Sequence, residues 1–187
     1  MEASEYIAYL LSEPGKSSCV RGGKVLQVSH DEVNRFLTGN NFTGKDLFER
    51  AKAALNLSGG VLSVDDTVID KPYSNPAATE LIGFFWSGLH HRSVRGINLI
   101  MLNYTDPDGV SLPVNWRVYR RQDSKTKNDY FQDMVTEVFH WGLRPGWVRA
   151  DCWYSSTRKP EVPQKQGSRF SGGTGKEAHH LYSAASL

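Results

Sequence analysis

Cysteine is nearly absent. Cys19 and Cys152 are the only two, and neither sits in a CxxC or Cys/His spacing. That argues against a zinc site and for free thiols in a reducing cytosol. No stretch approaches the roughly eighteen apolar residues of a membrane span. The segment MEASEYIAYLLSEPG carries Glu2 and Glu5 and lacks a basic start and a long apolar core, so it does not read as a signal peptide. No strong charge of one sign runs through the chain. The formal net charge is +2, and residues 158–187 hold five Lys/Arg against two Asp/Glu. The remainder holds 17 against 18. A nucleic-acid contact in the folded part must therefore come from local patches. His90 and His91 are adjacent with no third ligand in view, which reads as a solvated loop.

What is present is 187 residues with 39% hydrophobic content, enough for one domain and a small appendage. Residues 2–12 read as an amphipathic helix with Tyr6, Ile7, Leu10 and Leu11 on one side. Gly15, Gly22 and Gly23 mark a loop. SHDEVNRFL has a capping-box pattern at Ser29 and Glu32, with Val33, Phe36 and Leu37 as the buried face. TGKDLFERAKAAL starts another helix at Thr43, with Leu47, Ala51 and Leu55 at helical spacing. Residues 1–58 thus form a small helical module. It is either a packing collar or a helix-turn-helix that brings Arg35 and Lys45 near phosphates.

After Gly59–Gly60 the period changes. GGVLSVDDT is an apolar strand ending in two acids. VRGINLIMLNYTDPDGVSLPVNWRVYRR reads as two strands around a turn at 106–109, with Pro113 favouring an edge or a strand start. KTKNDYFQDMVTEVFHWGL is a helix capped by Thr126, with Phe131, Met134, Val135, Val138 and Phe139 as its stripe. GWVRAD is a fourth strand, again ending in an acid. The expected fold is mixed α/β: a helical module, then β-β-β-α-β over residues 59–157, then a disordered tail over 158–187.

Strands that end in Asp65–Asp66 and Asp151 would, as neighbours, bring carboxylates together at one sheet edge. Such carboxylates repel unless a cation lies between them, and Mg²⁺ favours oxygen ligands. This arrangement supports in-line attack on a phosphodiester and matches the front half of an RNase H-like fold.

The blocks DDTVIDKPY, GINLIMLNYTDPDGVSLPVNWRVY, KTKNDYF and ADCWYSS resemble the bacterial insertion-sequence transposases of the DDE superfamily, in the branch with a DDT first block and a D-x-W-Y second block. SHDEVNRFLTGNNFTGKDLF resembles the helical region before the catalytic domain in those proteins. The resemblance implies Mg²⁺- or Mn²⁺-dependent DNA cleavage and strand transfer at element ends, in a bacterial, nucleoid-associated cytoplasmic setting. It implies that the first acid is Asp65 or Asp66, with Asp66 preferred as the metal ligand, and that the second is Asp151. Trp153 and Tyr154 either stack on unpaired bases or pack as core. Arg120, Arg121, Lys125 and Lys127 form a basic loop that either touches phosphates or is merely solvated. Partners would be element-end DNA, a second copy, or full-length transposase. Another RNase H-like nuclease would lack the DDT and D-x-W-Y blocks.

The family places a third acid, a Glu, on a helix well beyond the second Asp. Only Glu161 and Glu177 follow Asp151 here, and neither lies in a helical pattern. A codon choice for Thr157–Leu181, read one nucleotide later, encodes QENLKFLKNKGLGFLVGLEKKRTIS without a stop. That string has a helix-like start, a Gly break and an apolar strand. The resemblance thus ends at Ser156, and the expectation is a truncated or frameshifted transposase, catalytically inactive or retained as a DNA-binding regulator.

Overall fold

The computed structural model describes residues 1–13, 17–75, 77, 79–151 and 179–183. It is a mixed α/β chain with a helical N-terminus, and it divides into two compact units, Met1–Phe42 and Thr43–Leu187.

The first unit holds α1 (Ala3–Ser12), α2 (Cys19–Leu26) and α3 (His30–Gly39). In α1 it is Tyr9 that is buried, while Ile7, Leu10 and Leu11 are exposed. Gly22 and Gly23 do not form a loop; they lie inside α2, whose N-cap Ser18 accepts from the Arg21 N–H. Close packing is the reason. A Cβ at Gly22 would meet the Tyr9 ring at 3.2 Å, and one at Gly23 would lie 2.8 Å from the Val28 carbonyl oxygen. Ser29 caps α3 by accepting from the Glu32 N–H at 3.1 Å. The Glu32 carboxylate takes the Met1 ammonium at 3.2 Å, so half of the expected box is formed. Val33 is fully buried, whereas Leu37 is exposed.

The second unit begins with α4 (Gly44–Ala51), where Thr43 and Asp46 complete a capping box. This last helix of the expected 1–58 module packs on β4 of the sheet. Phe48 is fully buried in the sheet unit's core, with its ring centroid 5.4 Å from that of Trp141. A Cβ at Gly44 would sit 1.9 Å from Asn115 Oδ1, so this docking requires glycine.

Among the described residues six strands form one sheet: β1 (Val61–Asp70), β2 (Gly83–Ser87), β3 (Arg92–Thr105), β4 (Ser111–Val118), β5 (Trp147–Asp151) and β6 (His179–Ser183). β3 is the long central strand. It pairs antiparallel with β1 over Gly96–Thr105. On its other edge it pairs with β2 over Arg92–Gly96 and with β4 over Leu99–Thr105. The Asp106–Gly109 turn joins β3 and β4; Gly109 takes φ +86°, and the Asp106 carboxylate accepts from the Asp108 and Val110 N–H groups. The same carboxylate accepts from the Asn56 N–H, and these backbone donors hold its pKa below the usual range. Pro113 sits beside a register shift on the edge strand β4, where its missing N–H costs no ladder bond.

Helix α5 (Lys127–His140) starts with a capping box between Thr126 and Asp129 and connects β4 to β5. β5 lies parallel to β1. Leu62 and Val64, Ile100, Leu102 and Tyr104, and Val148 and Ala150 present one sheet face to Met134, Val135 and Val138 of α5. Burying that face drives the unit together.

Three expectations change here. β1 does not end at its two acids but runs four residues on, because Thr67, Val68 and Ile69 continue a β-branched run against the long β3. β2 is an additional strand, an aromatic GFFWS run closed by the turn that holds His90 and His91. Residues His179–Ser183 of the tail are not disordered but pair antiparallel with β5, satisfying backbone groups along its edge. The rest of the expected tail lies outside the described residues.

The buried Tyr130 hydroxyl donates to the Asp123 carboxylate. Burial and that carboxylate push the phenol up to about 12 from 10.0. The folded state then holds this proton more tightly than the unfolded chain does. Its contribution is complete below pH 10 and is lost as pH rises through 12. The expected loss over that window is on the order of 2 kcal/mol. Urea midpoints measured against pH should show it in the native chain and not in Tyr130→Phe.

Candidate functional site: an acid on each of two adjacent parallel strands

Position along β1 decides which acid does what. Side chains alternate across a strand. Asp66 shares the face of buried Leu62 and Val64, while Asp65 points to the other face and is exposed. Adjacent acids on one strand therefore cannot both reach one ion. Asp65 Oδ1 accepts from the Asp66 N–H at 2.8 Å.

Asp66 is half-buried, and its Oδ2 has two described donors. Asn98 Nδ2 donates at 2.8 Å and Lys127 Nζ at 2.6 Å. Asn98 is fully buried on β3, and its Oδ1 has no hydrogen-bond partner among the described residues. Lys127 is the first residue of α5. A cation there opposes the helix dipole, at a cost of about 0.3–1 kcal/mol. The Asp66 carboxylate offsets that cost. The ammonium also lies 5.9 Å from the Tyr119 ring centroid.

Asp151 ends β5. The β1–β5 ladder pairs Val61 with Trp147 and Ser63 with Arg149. The same offset brings position 151 level with position 65. Trp153 and Tyr154 lie outside the described residues.

The basic loop separates into engaged and exposed members. Lys125 forms an ion pair with Asp133 at 2.7 Å, and Lys127 is on Asp66. Arg121 donates to the Phe84 carbonyl and lies over the Phe85 ring at 5.1 Å. Arg120 is exposed. Lys45 pairs with Glu49 at 3.4 Å and covers the Trp141 ring, while Arg35 is exposed on α3 in the other unit. Arg35 and Lys45 thus belong to different units.

A divalent ion suits part of this arrangement. Asp66 is a hard oxygen donor that already has a cation against it, the Lys127 ammonium. A metal on that oxygen must displace or sit beside Lys127. Among the described residues no group of three or more His, Cys, Asp or Glu stands close enough to hold one. Asn98 and the Lys127–Asp66 pair are what the sequence reading missed. The available signal was a lone amide in the apolar run GINLIML, at a position that alternation buries.

Compared with family models, curated proteins and solved structures, the chain matches none. Among the described residues, no helix is long and apolar enough to cross a membrane.

Proposed function

We propose that this chain is a transposase-related protein with an RNase H-like core. Its ancestral reaction would be metal-dependent DNA strand cleavage and transfer at insertion-sequence ends. The observation that supports the reading is the placement of the acids. β5, which ends in Asp151, lies parallel to β1 and beside it, and its register brings 151 level with 65. Antiparallel β4, β3 and β1, the crossover helix α5 and parallel β5 agree with that core, with β2 as an extra strand on β3.

In this reading Asp151 and one acid of the 65–66 pair hold Mg²⁺ or Mn²⁺: Asp65 shares the face of position 151, whereas Asp66 lies on the opposite face beside Asn98 and Lys127. The metal, when bound, would activate a water or 3′-hydroxyl and stabilise the leaving oxygen. The chain's own part is to fix Asp66 through Asn98 and to balance its charge through Lys127. Glu161 and Glu177, the only glutamates after Asp151, do not supply the family's third acid in a helical pattern. We therefore expect no strand cleavage by these 187 residues.

The second reading is a DNA-binding regulator. It is favoured by the separate compactness of the three-helix unit Met1–Phe42. Element-end duplex, Mg²⁺ or Mn²⁺ and a salt titration test both. The expected result is salt-dependent binding without nicking. Robust nicking abolished by Asp151→Asn would overturn the inactive reading, and absence of any DNA binding would overturn both.

A further inference from the structure

Strand β2 carries two large aromatics outward. Phe84 is 53% exposed and Trp86 is 64% exposed. This is not a loose strand. All five of its residues pair with β3. Its other face is anchored by Phe85, which is buried and stacks edge-on with Tyr119, itself edge-on to Tyr130. The pleat then leaves Phe84 and Trp86 on one outer face, two residues apart.

That face is basic. Phe84 stands opposite Arg95 on β3, and the guanidinium lies over its ring at 5.3 Å. Arg95 Nη1 is fixed by the carbonyls of Pro72 and Ser74, at 3.4 and 3.2 Å. Exposed Arg92 ends the same ladder opposite Ser87, on the Phe85 face by alternation, but at the strand end a shallow pocket is lined by Phe84, Arg92 and Arg95 alike. The one acid in this pocket is Asp70, which faces His90 at 3.8 Å.

We propose that this face is a stacking platform for unpaired bases of a DNA strand. Phe84 and Trp86 take the bases, with Arg95 on their own face and Arg92 at the strand end beside the phosphates. The inference rests on the reading of DNA as the partner. Exposed aromatic faces beside arginines suit a single strand, because bases in a duplex are already stacked on one another. Charge decides against a second copy of the chain. A two-fold interface would set the arginines against themselves. Strand geometry adds a link to the acids. Asp65 lies on the face of β1 whose partners on β3 are odd-numbered, the set that Arg95 continues, and six strand steps and two strand spacings separate it from Phe84. That is roughly 20 Å, a few nucleotides of extended strand.

The test is fluorescence anisotropy of the full chain with fluorescein-labelled oligo(dT) and with a mixed-sequence duplex. Trp86→Ala and Phe84→Ala should each weaken oligo(dT) binding by about ten-fold, within the range for one base stack, with the salt dependence unchanged. Arg92→Ala should instead lower the salt slope by about 0.7. Both aromatics are exposed, so the variants should fold, and Trp86→Thr keeps strand propensity should the alanine variant unfold. Unchanged oligo(dT) binding in the aromatic variants, with duplex binding intact, overturns this inference and leaves the DNA reading standing. No binding of either probe by the native chain overturns the DNA reading itself. Self-association that Trp86→Ala abolishes would show a protein interface and also overturn the inference.

Discussion

Phe48→Ala should remove about 3–5 kcal/mol of stability from the sheet unit. Phe48 has no solvent exposure, stacks on Trp141, and belongs to the cluster that includes Leu62, Ile100, Met134 and Val138. Truncation leaves a cavity bounded by helix and strand side chains, which relax only in part. Domains of this kind have roughly 5–15 kcal/mol in total, so the loss is a large fraction of it. Urea unfolding followed by tryptophan fluorescence measures it. The result also separates two accounts of residues 43–58. Were α4 a piece of a detachable N-terminal module, the sheet would unfold at nearly its native midpoint. A loss under about 1 kcal/mol would support that account and contradict the packing described above.

With Asp66 as the first acid of the proposed metal site, Asp66→Asn should weaken Mn²⁺ binding by roughly ten-fold or more, whereas Lys127→Met should strengthen it by a few-fold. The directions oppose because the two side chains play opposite electrostatic parts. Asp66 supplies the negative oxygen. Lys127 already compensates it at 2.6 Å and repels a second cation. The pair is partly exposed, so solvent screens it, and its loss should cost only about 1 kcal/mol of stability. Both variants should therefore remain folded. Titration of free Mn²⁺ by electron paramagnetic resonance reads the change without any cleavage assay. Native-like Mn²⁺ binding in Asp66→Asn would remove Asp66 as a ligand and turn attention to Asp65. Unchanged binding in Lys127→Met would show that the ammonium does not compete with the ion.

Patterns with a local cause were legible in the sequence. Thr43 and Thr126 cap their helices because a hydroxyl within one turn meets the free N–H groups. The turn at 106–109 is set by Asp106 and Gly109. Period-two apolar runs located β1, β3, β4 and β5. These effects act over a few residues, so composition and spacing carry them.

Effects that join distant residues were not legible. Gly22 and Gly23 look like loop residues, yet they sit in a helix because Tyr9 and the turn after α2 come too close for a Cβ. Leu37 fits a buried stripe and is exposed, since periodicity marks a face without saying what covers it. Residues 179–183 carry little strand signal alone and gain it from the edge of β5. Two adjacent aspartates cannot be told apart in one dimension. The pleat turns Asp66 toward Asn98 and Lys127, 32 and 61 residues away, and leaves Asp65 exposed. The sequence by itself determined the helix caps, the turns and the set of acids. Only the folded sheet decided which acid meets a cation, because strand register and face come from pairing and burial across the whole unit.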